Sequence, residues 1–314
     1  MMLSEIEKKN LWLEDRKTLI TGTNLACILG LSKFGGSMSV WLEKKGKLEV
    51  QDNEAMFSGR LFEKPILEAY SKINEIPVTF ADSYKVIRVP DFDLLGATLD
   101  ARWTFGDKRP VDAKNIRIKS SEFGDNGSDI IPIYYQTQLA VQMMACNTEY
   151  AELAVCFSGQ DHYRYVLERD RSIEDAIKEK VQEWWNRYII GNEMPEADAS
   201  DSCTDYIRSR FKKAESGLIK EPTEEILETI KMRKEAAEAE KEASKIKIEL
   251  DNKIKCFMGE AESIPGVLTW KNNKDTEKVN WEEVALSFAN EPNFNIIKEK
   301  YTEIKTGARV LRFK

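Results

Sequence analysis

Two β-type runs contain the side chains that are best suited to chemistry. An apolar run over 94–99 ends at Asp100, and a second run, which starts at Pro110, contains Asp112 and Lys114. Alternate side chains of a strand point to one face, so Asp112 and Lys114 are expected to lie together, with Asp100 beside them on an adjacent strand. Two carboxylates with open coordination positions suit Mg²⁺, which takes further ligands from water and phosphate. A lysine beside such a cation can orient or deprotonate an attacking water, so the pattern predicts metal-assisted attack on a phosphoryl group.

The pattern alone is weak evidence for a site. A carboxylate close before a lysine is common in a chain with 47 Lys and Arg and 54 Asp and Glu residues. The segments Glu43-Lys44-Lys45 and Glu303-Ile304-Lys305 match it as well. Taken by themselves, Asp112 and Lys114 are also compatible with an ordinary surface ion pair, which contributes little to stability. The surrounding sequence has to decide between these two interpretations.

The remaining composition excludes several other kinds of chemistry. His162 is the single histidine, so a zinc site with two or three histidines is excluded within one chain, and histidine-based nucleophilic catalysis would need this residue. The five cysteines form no Cys-x-x-Cys pair and are expected to be free thiols in a reducing compartment. Neither of the two common glycine-rich phosphate-binding patterns occurs. Carboxylates, lysines and a bound hard cation remain as the groups available for catalysis.

The chain has 314 residues, of which 42% are hydrophobic and 32% charged, and its formal net charge is −7. This composition is typical of a soluble globular protein with about two domains. The acidic balance argues against a nonspecific coat on nucleic acid, but it is compatible with an enzyme whose basic residues line one channel. No stretch approaches the ~20 apolar residues of a membrane span, and the N-terminus has no apolar run. We therefore expect a cytoplasmic protein without a signal peptide or a membrane segment.

Periodicity predicts an α/β domain over residues 1–220, with a mixed central sheet flanked by helices. The predicted strands cover 84–89, 94–99, 110–114, 151–157 and 163–168, and the predicted helices begin at Thr23, Asn53, Ile133 and Ile173. Thr23 and Asn53 are predicted to be N-caps, because their side chains can accept a hydrogen bond from the first helical turn. Pro65 lies within the second helix and is expected to kink it.

Residues 221–314 are predicted to form a second region, built on a long helix. Thr223 can cap this helix, and no Gly or Pro follows before Gly259. Apolar residues recur along it at steps of three and four, which predicts a narrow apolar stripe on a surface rich in Lys and Glu. The stripe consists of Ala239, Ala243, Ile246, Leu250, Ile254 and Phe257. The tail after Gly259 is expected to cover it, and cover by a partner protein is the alternative. The tail is predicted to contain a hairpin turning at Asn272-Asn273, one or two helices and a last strand over 309–313.

Five blocks of residues follow one another in a fixed order between about residues 12 and 195. They are Trp12-x-x-x-Arg16-x-x-x-Ile20-Thr21-Gly22-Thr23 with the segment up to Gly46; Gly59-Arg60-Leu61-Phe62-Glu63; Ala97 to Asp100 with Asp112-x-Lys114; Ile131-Pro132-x-Tyr134-Tyr135-x-x-Gln138; and Glu168-Arg169-Asp170 before Trp184-Trp185. In this order the blocks resemble the YqaJ-like viral recombinases, which are relatives of phage lambda exonuclease within the PD-(D/E)xK nuclease superfamily. The ordered set is specific, although no single block is.

The resemblance implies a metal site with defined roles. Asp100 and Asp112 would be direct ligands of Mg²⁺, or of Mn²⁺ in its place, and the carbonyl of Ala113 could help. Glu63 would be a water-mediated or second ligand. Lys114 would be the catalytic lysine.

The resemblance also implies residues outside the metal site. Gln138, rather than Gln136, would position the site, because only Gln138 keeps the spacing of the family. Arg16 and Thr23 match residues that hold the 5′-phosphate of a DNA end, and a guanidinium and a hydroxyl are suited to that function. Without the resemblance, Arg16 would be interpreted as a surface arginine and Thr23 as an N-cap only.

The implied function is that of a Mg²⁺-dependent exonuclease, which would degrade double-stranded DNA from its ends, 5′ to 3′, in phage-type recombination. A phage or prophage would encode the protein, which would act in the cytoplasm of the bacterial host. A homo-oligomer, a ring-like trimer, is expected, and a single-strand annealing recombinase is the expected partner. Four basic residues flank the predicted site and are expected to contact the DNA backbone. They are Arg88, Arg102, Arg117 and Lys119.

Two departures from the family pattern keep alternatives open. The family has Ser-Pro-Asp-Gly where this chain has Thr98-Leu99-Asp100-Ala101, and it has Glu where this chain has Asp112. Asp is one methylene shorter than Glu but remains an acceptable ligand. The alternatives are a catalytically weak protein that binds DNA ends or a partner, and an endonuclease on the same fold.

Overall fold

The computed structural model describes residues 4–47, 54–272, 280–288 and 294–302. Within these ranges the chain forms ten α-helices and ten β-strands. The helices are α1 (Glu5–Arg16), α2 (Gly22–Ile28), α3 (Ser37–Lys44), α4 (Glu54–Asn74), α5 (Ile133–Cys146), α6 (Glu174–Trp184), α7 (Asp201–Arg210), α8 (Glu224–Met258), α9 (Trp281–Ser287) and α10 (Phe294–Lys300). The strands are β1 (Ile20–Thr21), β2 (Val78–Phe80), β3 (Ile87–Val89), β4 (Phe92–Ala97), β5 (Ala101–Trp103), β6 (Pro110–Ile116), β7 (Tyr150–Phe157), β8 (Asp161–Glu168), β9 (Ser263–Ile264) and β10 (Leu268–Thr269).

The chain divides into two compact units, Met1–Phe211 and Lys212–Lys314. The first unit contains helices α1 to α7 and strands β1 to β8, and the second contains the remaining described elements. None of the described helices is long and apolar enough to cross a membrane.

The described part of the first unit contains two sheets. The larger sheet has the strand order β2-β5-β6-β7-β8, in which β6 and β7 are parallel and the other neighbours are antiparallel. The smaller sheet has the order β1-β4-β3, with β1 parallel to β4. A parallel pair such as β6 and β7 needs a crossover connection, and helix α5 lies in that connection. The predicted α/β fold class, a mixed sheet flanked by helices, is confirmed.

The register of the larger sheet determines which residues of β6 face each helix. Ala101 of β5 lies opposite Val111 of β6. Val111 and Ala113 belong to a core cluster with Ile66, Leu67 and Tyr70 of α4. Because strand side chains alternate, the intervening Asp112 faces the opposite layer, where α5 lies. The site therefore lies between the larger sheet and α5.

Most of the predicted elements are confirmed, with shifted ends. The predicted strands correspond to β3, β4, β6, β7 and β8, and the predicted helices to α2, α4, α5, α6 and α8. Helices α1, α3 and α7 and the short strands β1, β2 and β5 were not predicted. The predicted helix from Ile173 onward is α6, which continues as a π-helix over Trp185–Ile190.

The predicted N-cap of α2 was wrong. Thr21, not Thr23, caps this helix, because its hydroxyl accepts from the Asn24 backbone N–H and the Asn24 side chain accepts from the Thr21 backbone N–H. This reciprocal pair is a capping box. Thr23 therefore lies in the first turn of α2, where its side chain is exposed.

The long helix of the second unit is confirmed as α8. The hydroxyl of its N-cap, Thr223, accepts from the Ile226 N–H at 3.3 Å, and the helix ends at Gly259. The stripe residues are exposed, with Ile246 at 52% and Phe257 at 81%, so the described part of the tail does not cover them. Cover by the remaining residues or by a partner stays a prediction.

The described part of the tail contains a hairpin that was not predicted. Strands β9 and β10 pair antiparallel, with Ile264 opposite Leu268. Gly266 lies between them at φ 72°, a value that favours glycine. The predicted Asn53 cap, Asn273 and the predicted strand 309–313 lie outside the described residues.

Candidate active site

Asp100 lies in the short connection between β4 and β5, where the chain passes from the smaller sheet to the larger one. Leu99, immediately before it, is buried in the core. The Asp100 carboxylate accepts a hydrogen bond from the backbone N–H of Ala113 at 2.8 Å. This bond holds the carboxylate against β6, beside Asp112.

Asp112 lies within β6 and is 1% exposed. Two side-chain amides of α5 donate to its Oδ1, Gln138 Nε2 at 2.7 Å and Gln142 Nε2 at 2.9 Å. Its Oδ2 forms an ion pair with Lys114 but has no well-oriented hydrogen-bond donor among the described residues. Buried carboxylate oxygens normally accept such bonds, so Oδ2 is available to a ligand on the side of Lys114.

Lys114 projects from the same face of β6 as Asp112. Its ammonium lies 5.6 Å from the centroid of the Tyr135 ring. Burial lowers the pKa of Lys114, but the carboxylates of Asp112 and Asp100 outweigh burial and raise this pKa above its ordinary value. Lys114 is therefore charged at neutral pH and can donate a hydrogen bond to an incoming oxygen.

Glu63 on α4 adds a third carboxylate. Burial, followed by the negative charge of Asp112, raises the pKa of Glu63. The same two effects raise the pKa of Asp100 well above its ordinary value. Negative charge on Glu63 and Asp100 is therefore unfavourable beside Asp112, and a bound cation would relieve this repulsion.

The donor set fits a hard divalent cation. Asp100, Asp112 and the carbonyl of Ala113 offer oxygen ligands, which Mg²⁺ and Mn²⁺ prefer. Mg²⁺ commonly binds one or two carboxylates and keeps several waters. Across the described residues, no three His, Cys, Asp or Glu side chains converge into a preformed cluster. Ligation by Glu63 therefore stays a prediction, while the carboxylate of Asp112, whose Oδ2 forms an ion pair with Lys114, is suited to bind a cation.

Helix α2 begins directly against α5 at Gln138. A Cβ atom on Gly22 would lie 2.7 Å from the Gln138 Cα, so only glycine permits this close approach. Thr23 follows Gly22, and its exposed hydroxyl has no hydrogen-bond partner in the described part of the chain. Thr23 thus lies next to the contact between α2 and α5, and at this contact Gln138 donates to Asp112.

Arg16 lies at the end of α1, where its Cζ is 4.8 Å from the centroid of the Trp12 ring. Trp12 Nε1 donates to Thr98 Oγ1 at 3.1 Å, which attaches α1 to the connection that contains Asp100. Burial lowers the pKa of Arg16, and the negative charge of Glu43 opposes this effect. No salt bridge within the described residues occupies the guanidinium, so its donors are available to an anion.

The four flanking basic residues differ in how far their charges are free to contact DNA. Arg88 pairs with Asp15 at 2.5 Å, which holds β3 to α1, so its charge is already used within the protein. Arg102 lines a cavity of about 420 Å³ beside β2 and β5. Arg117 is exposed, and the Lys119 ammonium lies 4.5 Å from the centroid of an aromatic ring. Contact of these residues with DNA stays a prediction.

The structure distinguishes the three glutamines of α5. Gln138 donates to Asp112, whereas Gln136 donates to the Ile131 carbonyl at 2.7 Å and points away from the site. Gln142 was missed by the sequence analysis. The available signal was its spacing of four from Gln138, which places both amides on one helix face.

A mixed sheet with Asp112 and Lys114 on one strand, and Asp100 in the connection beside that strand, fits the PD-(D/E)xK class of fold, as predicted. Residues 11–151 match the YqaJ-like viral recombinase domain family. Uncharacterized protein YqaJ of Bacillus subtilis (strain 168) is 26% identical over 259 residues, which cover 80% of this chain and 78% of that protein. The resemblance found in the sequence motifs is therefore confirmed for this part of the chain.

Two solved structures are similar to part of this chain. The alkaline exonuclease LHK-Exo from Laribacter hongkongensis is 15% identical, covers 65% of this chain and 100% of its own, and gives a TM-score of 0.45. A putative exonuclease from Eubacterium rectale is 14% identical, covers 71% of this chain and 96% of its own, and gives a TM-score of 0.43.

Proposed function

We propose that this protein is a metal-dependent deoxyribonuclease that degrades double-stranded DNA from its ends, in the 5′ to 3′ direction. The observation that supports the proposal most is the convergence of Asp112 and Lys114 on β6 with Asp100 in the connection beside that strand. Asp112 Oδ2 is buried and forms an ion pair with the Lys114 ammonium. This arrangement suits hydrolysis of a phosphodiester beside a cation.

The proposed chemistry uses each group in a separate role. A Mg²⁺ or Mn²⁺ ion, when bound, would supply Lewis-acid polarisation of the phosphoryl oxygen and stabilisation of the leaving oxygen. Asp100 and Asp112 provide the negative charge that holds this ion. Gln138 positions Asp112 through Oδ1. Lys114 orients the attacking water and screens the charge that develops on the phosphate.

The preference for DNA ends is proposed to come from Arg16 and Thr23. Arg16 has an unpaired guanidinium beside Trp12, and Thr23 has an exposed hydroxyl at the start of α2. A guanidinium and a hydroxyl can together bind a terminal 5′-phosphate through charge-assisted hydrogen bonds. Binding of that phosphate would favour DNA ends over continuous duplex.

The proposed biological role is phage-type homologous recombination. A ring-like homotrimer would enclose the duplex, and the net charge of −7 is compatible with an acidic exterior and a basic inner channel. A single-strand annealing recombinase would be the partner that receives the exposed strand. The exposed stripe on α8 offers it a surface.

A plasmid assay tests the proposed function. The full chain is incubated with linear and with covalently closed circular plasmid, in Mg²⁺, in Mn²⁺ and in EDTA. Metal-dependent loss of the linear form alone supports the exonuclease. Cutting of the circle would instead indicate an endonuclease, and two intact substrates with retained binding of DNA ends would indicate a binding protein.

A further inference from the structure

We propose that Gln142 is a positioning residue, which fixes the carboxylate of Asp112 so that its Oδ2 faces the bound cation. This inference rests on the proposed function, because it concerns the same site. Gln142 would act through Asp112 and would not itself contact the substrate or the cation.

The hydrogen bonds of Asp112 carry the inference. The amides of Gln138 and Gln142, one turn apart on α5, donate to the same oxygen, Oδ1, at 2.7 and 2.9 Å. The last torsion of an aspartate side chain has a broad range, so the plane of a carboxylate can turn. Two donors on one oxygen hold this torsion near one angle, which also fixes the position of the other oxygen. Oδ2 is thereby held on the side of Lys114, with which it forms an ion pair.

The second amide atom of Gln142 supports the same conclusion. Gln142 is 1% exposed, and its Oε1 has no hydrogen-bond partner in the described part of the chain. An unpartnered buried carbonyl is unfavourable. Turning the amide over would direct Oε1 at the carboxylate of Asp112, so that two acceptors would face each other. The orientation that leaves Oε1 without a partner is therefore the one in which the amide donates to Asp112.

The surroundings of Gln142 show that packing alone does not require an amide at this position. Leu139, Val141 and Met143 of the same helix are buried apolar residues. A leucine or methionine at position 142 would suit such a core without leaving a buried oxygen unpartnered. The amide is explained by its bond to Asp112 rather than by the core.

The test uses Gln142→Leu and Gln142→Met in the full chain, with Gln136→Leu as the matched control on the same helix. Titration calorimetry without DNA measures the Kd for Mn²⁺, and a thermal melt in EDTA reports folding. Loss of a residue that orients a metal ligand is expected to weaken metal binding about 10- to 100-fold. The Tm in EDTA is expected to stay the same or rise. With saturating Mn²⁺ the rate of DNA hydrolysis should largely recover, and the KM for DNA should not change.

The outcomes separate this inference from the proposed function. If the Gln142 variants bind Mn²⁺ as tightly as the wild type, the positioning role is refuted, while the nuclease proposal stands. If Gln136→Leu weakens Mn²⁺ binding equally, the effect is a general one of α5 and the inference fails. If both Gln142 variants fail to fold in EDTA, Gln142 is a core residue and the inference fails as well. A wild type that neither binds Mn²⁺ nor hydrolyses DNA would refute the proposed function itself.

Discussion

Replacing Asp100 by Asn is expected to stabilise the metal-free protein and, at the same time, to abolish DNA hydrolysis. Asp100 accepts a hydrogen bond from the Ala113 N–H, and an Asn oxygen can keep that bond. The substitution removes one of the carboxylates that lie around Lys114. Burial and the charge of Asp112 raise the pKa of Asp100 well above its ordinary value, although Lys114 and the Ala113 bond oppose them. The ionised form is therefore unfavourable in the folded protein even with these favourable contacts included.

The expected gain in the free energy of unfolding follows from this balance of burial and charge. Because Asp100 is partly exposed, solvent screens some of the repulsion, and we expect a gain of about 0.5–2 kcal/mol, as for other stabilising substitutions at functional sites. A gain of 1 kcal/mol would raise the Tm by about 2–4 °C in a domain of this size. The difference in stability between the wild type and Asp100→Asn also depends on pH. The folded state keeps the proton of Asp100 to a higher pH than the unfolded state, so the stability of the wild type falls as pH rises from the ordinary carboxyl pKa to the raised one. Asp100→Asn should lose this dependence.

Thermal melts in EDTA across this pH range measure the effect, and Asp107→Asn is the control. The hydrogen bonds and charge of Arg109 lower the pKa of Asp107, although burial alone would raise it, so neutralisation of Asp107 should not stabilise. Mg²⁺ should raise the Tm of the wild type and leave that of Asp100→Asn almost unchanged. An Asp100→Asn protein that is less stable than the wild type at neutral pH in EDTA would refute the reasoning.

Three further predictions concern the DNA end, the assembly and the second unit. Duplexes with a 5′-phosphate should be degraded at least tenfold faster than those with a 5′-hydroxyl, because a charged hydrogen bond contributes about 1.5–3 kcal/mol. Arg16→Ala should remove this preference. Arg171→Ala, which removes a surface ion pair, is the control, and equal rates on both ends with wild type would contradict the role of Arg16. Light scattering at micromolar concentration should give three times the chain mass of 36.1 kDa, and a monomer would contradict the trimer. A chain that ends at Glu221 should fold and hydrolyse DNA, because the described core clusters and site residues lie in Met1–Phe211. Aggregation or loss of hydrolysis in this shortened chain would show that the enzyme needs residues 222–314.

The strand β6 was predictable because its chemistry follows local rules. Asp112 and Lys114 lie two positions apart on a strand, and strand geometry alone places them on one face. Asp100 was expected at the end of a strand, but it lies in a connection after β4 ends at Ala97. The apolar run from Leu94 to Leu99 predicts one β-strand, but the chain leaves the smaller sheet after Ala97 and enters the larger sheet at Ala101. Propensity cannot show that change, because it depends on which strands pair.

Helix caps and buried amides show two different limits of prediction from sequence. Thr21 and Thr23 have the same capping chemistry, and the distinguishing signal was Asn24, which completes a capping box with Thr21. That signal was present in the sequence and was not used. Gln142 is different, because its spacing from Gln138 indicates a shared helix face but does not identify the residue to which it donates. Its partner, Asp112, lies 30 positions earlier, and only the packing of α5 on β6 brings the two together.

The most direct test of the account compares the wild type and Lys114→Ala on linear duplex DNA in Mg²⁺. Circular dichroism and thermal melts establish that the variant is folded, and wild type in EDTA provides the metal-free control. The account predicts that the wild type degrades the duplex only with Mg²⁺. The folded Lys114→Ala protein should be slower by at least about 100-fold, because removal of a group that positions or activates the attacking water commonly costs 10²–10⁴ in rate. Wild-type rates in the folded variant, or unchanged rates in EDTA, would contradict the assignment of this site as a metal-dependent nuclease centre.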